Sequence, residues 1–248
     1  VVFIPISDEN PLRAIRFQWV TVGLIAVNVA VLLLQAAGSE GAVQAAGVSF
    51  ALIPAELFQA PAAATAPPGA LWVPEWLTLI TYQFLHGNIL HLASNMLFLW
   101  VFGDNVEDAL GHMRFLVFYL LCGIAGGLAH SAAVTLLYPT GSAMPLVGAS
   151  GSVAGVIAAY LVLHPRVRVW VLAFRFIPLR LSAVWVLGLW VATQLVMVLP
   201  GIGMEDGVAW WAHIGGLAAG ALLVLVMRRP GVPLFDRGLV KPVAERRS

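Results

Sequence analysis

The chain has 248 residues, 60% of them hydrophobic and 10% charged, with a formal net charge of +1. A soluble domain carries about 25% charged residues, so this composition excludes an ordinary water-soluble globule, and the absence of any basic patch excludes a nucleic-acid partner. Several apolar runs approach the ~20 residues that cross a bilayer, and a single membrane domain of several crossings is expected.

In chain order, residues 1–16 read as a short cytoplasmic segment. The first apolar run, 17–37, is too long for a signal-peptide core and no cleavage site follows it, so it reads as a retained helix. A long outer loop, 38–85, comes next. Its centre, Pro61 to Gly69, is rich in proline and alanine and reads as an irregular connector. Its flanks are apolar and carry Trp72 and Trp76, residues that favour the membrane interface. This loop is expected to be partly membrane-associated. Five further segments follow at 89–102, 115–137, 150–163, 181–199 and 208–227, and the tail 230–248 reads as flexible. The resulting membrane domain spans 17–229.

Charge orients this arrangement. Arg13 and Arg16 precede the first segment, and Arg114 lies between the second and third. Arg166, Arg168, Arg175 and Arg180 lie between the fourth and fifth, and the remaining basic residues follow the sixth. Together these are all 13 Lys and Arg of the chain, and six crossings put every one of them on one side. The opposite loops carry only Glu40, Glu56, Glu75, Glu205 and Asp206. By the positive-inside rule both termini are expected in the cytoplasm. The fold expected is an all-α bundle of six transmembrane helices. Cys122 is the only cysteine, so an intrachain disulfide and a cysteine metal cluster are excluded; in Cys122-Gly123-Ile124-Ala125-Gly126-Gly127 it reads as a small packing residue.

Polar residues inside such segments are costly and usually functional. Ser150 precedes Arg166 by 16 residues, or ~24 Å of helix against a core ~30 Å thick. His213 precedes Arg228 by 15 residues, or ~22 Å. His91 precedes Asp104 by 13 residues, or ~20 Å, and Asn95 shares its face at i+4. Three segments thus carry Ser150, His213 and His91 to a common depth. Serine becomes a nucleophile when a base takes its proton, and histidine has the pKa to do so. The tetrahedral intermediate then needs donors for its oxyanion. The Ser150 amide at a helix start can supply one, and His91 and Asn95 can supply others. No carboxylate lies at this depth, so a Ser150–His213 dyad is expected, with no metal.

The plainer readings run alongside. Gly151-xxx-Gly155 and Gly216-xxx-Gly220 have the spacing of close helix contacts and, with Gly148, read as packing positions beside the site. His86, His112, His130 and His164 read as structural, interface or loop residues. Asp104, Glu107 and Asp108 read as structural groups at the inner end of the second segment.

Together, His86 to Asn95 (HGNILHLASN), Gly103-Asp104-Asn105-Val106-Glu107, Gly148-Ala149-Ser150-Gly151 and Ala212-His213-Ile214-Gly215-Gly216 resemble the rhomboid intramembrane serine proteases in their basic six-helix bacterial form. The resemblance implies Ser150 as nucleophile, His213 as general base, and His91, Asn95 and the Ser150 amide as the oxyanion hole. It implies transmembrane protein substrates, no cofactor, and a multi-pass protein of the bacterial inner membrane; it leaves the oligomeric state open. Two positions depart from the pattern. Ala154 stands where many relatives carry an aromatic residue stacked on the base, and the outer loop has no arginine where many carry a Trp-Arg pair. The resemblance also implies that the fifth helix, with Trp185 and Trp190, walls the side where substrate enters. The glycine-rich loop from Pro200 to Gly207 is suited to act as a cap.

Other intramembrane chemistries fit poorly. There is no H-E-x-x-H zinc motif and no G-x-G-D aspartyl motif, and Ser152 breaks the G-x-S-x-G elbow. The main alternative is a catalytically inactive rhomboid-like protein that binds or escorts membrane clients. A transporter fits less well, for want of an inverted repeat or a charged pathway.

Overall fold

The computed structural model describes residues 3–58, 70–71, 73–138, 143–174, 176–199, 202 and 208–236. Four of its helices are long and apolar enough to cross a membrane: α1 (Trp19–Ala37), α5 (Ile89–Leu110), α6 (His112–Leu137) and α9 (Trp210–Met227). Two shorter apolar helices, α7 (Ser150–Leu163) and α8 (Ala183–Met197), lie between α6 and α9 in the chain. The outer loop contains three more, α2 (Glu40–Phe50), α3 (Pro54–Phe58) and α4 (Glu75–Thr81), the last followed by a 3₁₀ turn at Tyr82–Phe84. The irregular connector 61–69 and Trp72 fall outside the described residues.

Helix α7 is the centre of the molecule. It is apolar on every side, and each residue from Gly151 to Tyr160 is buried. A helix hydrophobic all round must be enclosed, and here α5, α6 and α9 enclose it. At 14 residues it spans only ~21 Å. Small residues permit the approach of α9. A Cβ on Gly216 would lie 1.9 Å from the Gly151 carbonyl oxygen, and one on Gly220 would lie 2.2 Å from that of Gly155. The small-xxx-small spacing therefore marks a backbone-to-backbone crossing.

Helix α5 runs eight residues beyond the expected end at 102, because its carboxylates are partnered instead of solvated. Glu107 is fully buried and accepts from the amides of Val20 and Thr21 at 3.0 and 2.8 Å, from Thr21 Oγ1 at 2.7 Å, and from His112 Nδ1 at 2.5 Å. It thereby supplies the negative charge and acceptors that the start of α1 lacks in its own first turn. Asp108 accepts from the amides of Arg13, Ala14 and Ile15.

Two expectations are corrected. The fold is mostly helical but not all-α. Strands β1 (Phe3–Asp8), β2 (Arg168–Ala173) and β3 (Ile177–Ser182) form an antiparallel sheet in the order β1-β2-β3. In β2, Val169, Val171 and Ala173 are buried while Arg168 and Trp170 are exposed, the period-two alternation of a half-buried strand. Its basic residues and its place between two helices gave it the look of a plain connector. Tyr160 donates to Asp8 at 2.5 Å and ties the sheet to α7. The expected flexible tail is also docked as far as Asp236. The amides of Phe235 and Asp236 donate to the carbonyls of Val162 and Leu163, and the Asp236 carboxylate accepts from the Arg166 amide. These contacts satisfy carbonyls that every helix C-terminus leaves free. Residues 237–248 lie outside the described residues.

Candidate active site

The site begins with an N-cap. The Asn88 side chain accepts from the His91 amide at 2.8 Å and starts α5, which directs His91 and Asn95 to one face. His91 is half-buried and Asn95 buried. Asn95 Nδ2 lies 3.1 Å from His86 Nε2. Burial, with His91 nearby, pushes the His86 pKa down to about 4, so its ring is neutral near pH 7 and accepts from the Asn95 amide. His86, read as structural, thus orients a candidate oxyanion donor.

Gly148 brings the next element against this pair. Its φ is +125°, a value side chains disfavour, and a Cβ there would lie 2.7 Å from His91 Cε1. Its amide donates to the Tyr82 carbonyl at 2.9 Å. Two residues on, the half-buried Ser150 opens α7. The first α7 bond within this helix start runs from the Val153 amide to the Ala149 carbonyl, so the amides of Ser150, Gly151 and Ser152 belong to the donor-rich, positive end of the helix. Ser152 donates to Gln83 at 2.9 Å and is absorbed into packing.

His213 is buried on α9. It shares a face with Gly216 and Gly220 at i+3 and i+7, which is the face pressed against Gly151 and Gly155. Its Nδ1 lies 2.7 Å from Gln194 Oε1 on α8. Trp190 lies beside the ring at 5.9 Å with planes 34° apart, and Trp210 meets it edge-on at 5.8 Å. Trp190 also packs against the cluster of Ala154, Ala158 and Leu217. The small Ala154 therefore leaves room for an aromatic ring from α8, and His213 is flanked by a tryptophan from another helix.

Of the remaining histidines, two lie against carboxylates, while His130 is near enough to His213 to act on it electrostatically. His112 pairs with Glu107, and His164 Nδ1 lies 3.2 Å from Asp236. His130 is on α6 with no hydrogen-bond partner at Nδ1 among the described residues. No three His, Cys, Asp or Glu side chains converge as a metal site among the described residues. Of the loop suited to be a cap, only Ile202 lies within the described residues. Gln194 was not singled out from the sequence, although an amide in an otherwise apolar segment is a signal of function by itself.

Comparison with known proteins gives a consistent family. The Rhomboid domain family model matches residues 73–230. The chain is 31% identical over 173 residues to "Rhomboid protease GluP" of Bacillus subtilis, a match covering 68% of this chain and 29% of that protein. It is 30% identical over 156 residues to "RHOMBOID-like protein 12, mitochondrial" of Arabidopsis thaliana, covering 58% of this chain and 44% of the relative. It is also 30% identical over 156 residues to "Rhomboid protein 1, mitochondrial" of Saccharomyces cerevisiae, covering 61% and 42%. The matched stretch thus spans less than half the length of each of these relatives.

Proposed function

The chain belongs to the rhomboid family, and we propose that it is an intramembrane serine endopeptidase that cleaves other membrane proteins in or near their transmembrane segments. The observation that carries this reading is the α7–α9 crossing. His213 projects from the same face of α9 that meets α7 one residue after Ser150. In this reading His213 Nε2 takes the Ser150 proton as Oγ attacks the peptide carbonyl. The Ser150 amide, His91 and Asn95 stabilise the oxyanion. His213 then protonates the leaving amine, and water admitted from the outer face hydrolyses the acyl-enzyme with the same base.

We further propose six crossings with both termini in the cytoplasm of a bacterial inner membrane. The support is the clustering of the basic segments at one end of the bundle. Asp108 binds the Arg13 amide, Arg114 donates to the Met227 carbonyl, and the Arg229 amide donates to the Ala109 carbonyl.

The test uses purified protein in liposomes with a transmembrane reporter. Cleavage by wild type and none by Ser150→Ala is the expected result, with fluorophosphonate labelling lost in parallel. Wild-type rates from Ser150→Ala would overturn the assignment. Binding of the reporter without cleavage by wild type would favour an inactive family member that holds or escorts clients.

A further inference from the structure

We propose that Gln194 is a positioning residue for His213, fixing the tautomer in which Nδ1 carries the proton and Nε2 is free to act as base. The inference rests on the protease reading above and adds a residue from α8 to it. Gln194 is 2% exposed in a helix whose other buried residues are Ala183, Val186 and Leu187. A buried amide in that setting needs partners on both its nitrogen and its oxygen. Its Nε2 donates to the Trp190 carbonyl one turn earlier at 2.8 Å. That bond can be made only by the nitrogen, so the amide has one orientation and turns its oxygen outward. The oxygen meets His213 Nδ1 at 2.7 Å and can only accept, so the proton must reside on Nδ1. When His213 takes the Ser150 proton it becomes a cation, and the Gln194 dipole then stabilises it more strongly. The neutral amide does without a buried carboxylate what the third group of a triad does for its histidine.

Among the described residues, Gln194 is the acceptor placed at His213 Nδ1. Among the described residues, the titratable side chains that act electrostatically on His213 are His91 on α5 and His130 on α6. Helix α7 presents Ser150 at this level, and α8 has no ionisable side chain. Trp190 and Trp210 fix the ring plane but offer no acceptor to Nδ1.

Two variants separate positioning from packing. Gln194→Met keeps length and removes the acceptor; Gln194→Glu keeps an acceptor and adds charge. In wild type, ¹⁵N NMR of labelled histidine, assigned with His213→Ala, should show His213 protonated at Nδ1. Gln194→Met should shift it toward a tautomer mixture. In reporter cleavage, Gln194→Met should lower kcat about 10- to 100-fold, the worth of one hydrogen bond to an ionised group, with KM little changed. Its acid limb in the kcat profile should move to lower pH, because the imidazolium has lost an acceptor. Gln194→Glu should recover rate and move that limb to higher pH. A drop in kcat with neither tautomer nor acid limb moved would reduce Gln194 to packing and overturn the proposal. If Gln194→Met does not fold, an unmoved acid limb in Gln194→Glu overturns it equally. Wild type that neither cleaves nor labels, yet shows the tautomer change in Gln194→Met, would remove the protease reading and leave the His213–Gln194 assignment standing.

Discussion

In the proposed mechanism Ser150 and His213 are useful only together, since a serine hydroxyl is a poor nucleophile until an imidazole accepts its proton. Alanine at either position should therefore abolish reporter cleavage, and the double variant should be no worse than either single one. Additive losses, measured as kcat/KM across the four proteins, would mean that the two residues act separately. Gly216 makes a different demand. A methyl group there has no space, because the Gly151 carbonyl oxygen would lie 1.9 Å away. Gly216→Ala should cost about 1–3 kcal/mol of stability, as overpacking does, and should separate Ser150 from His213. Gly23→Ala on α1, where nothing lies within 4 Å, is the matched control and should leave both stability and cleavage intact. Equal SDS-unfolding midpoints for the two variants would contradict this account of the crossing.

At the scale of elements, β1 is joined to the bundle through a titrating contact. Asp8 accepts from Tyr160, and burial pushes its pKa from 3.8 up to about 6, against the lowering effect of that hydrogen bond. The folded state thus holds the Asp8 proton more tightly than the unfolded chain does. Between pH 3.8 and about 6 the folded state binds more protons, so stability falls as pH rises through this window and levels off above it. The full change is on the order of 3 kcal/mol. Asp8→Asn should remove it. The expected measurement is an unfolding midpoint that drops from pH 4.5 to pH 7.5 in wild type relative to Asp8→Asn. Glu9, whose pKa is lowered chiefly by its hydrogen bond to Arg180, works in the opposite sense. It is common to both proteins and cancels in the comparison. A constant difference between the two proteins across that range would show that Asp8 does not titrate with folding.

For the whole molecule, sidedness is the property that the bundle imposes. The β2–β3 hairpin and the α6–α7 connection leave from opposite ends of α7, so they should face opposite sides of the membrane. Phe176 and Met144 mark the two, at 83% and 66% exposed. With Cys122 replaced by serine, a cysteine at 144 should react with a membrane-impermeant maleimide added outside intact cells. A cysteine at 176 should react only after the membrane is opened. Labelling of both from one side would rule out an odd number of crossings between them and, with it, the six-crossing topology.

The sequence by itself determined the membrane class, the family and the places of the apolar helices. Segment 150–163 coincides with α7, and 208–227 differs from α9 by two residues at one end. These features depend on local hydropathy and on short motifs, which a chain carries along its length. It also supplied His91, Asn95, Ser150 and His213 as candidates, from polar residues at matching depths. The partners of those residues had to wait for the tertiary structure. Gln194 meets His213 across 19 residues, His164 meets Asp236 across 72, and β1 meets β2 from opposite halves of the chain. Periodicity reports neighbours within a turn or two, whereas a buried polar group takes whatever donor or acceptor helix packing brings to it. The two glycine pairs could be read as a close contact, but only the packed bundle decided that α7 and α9 meet there, and that α8 lays Gln194 and Trp190 against His213.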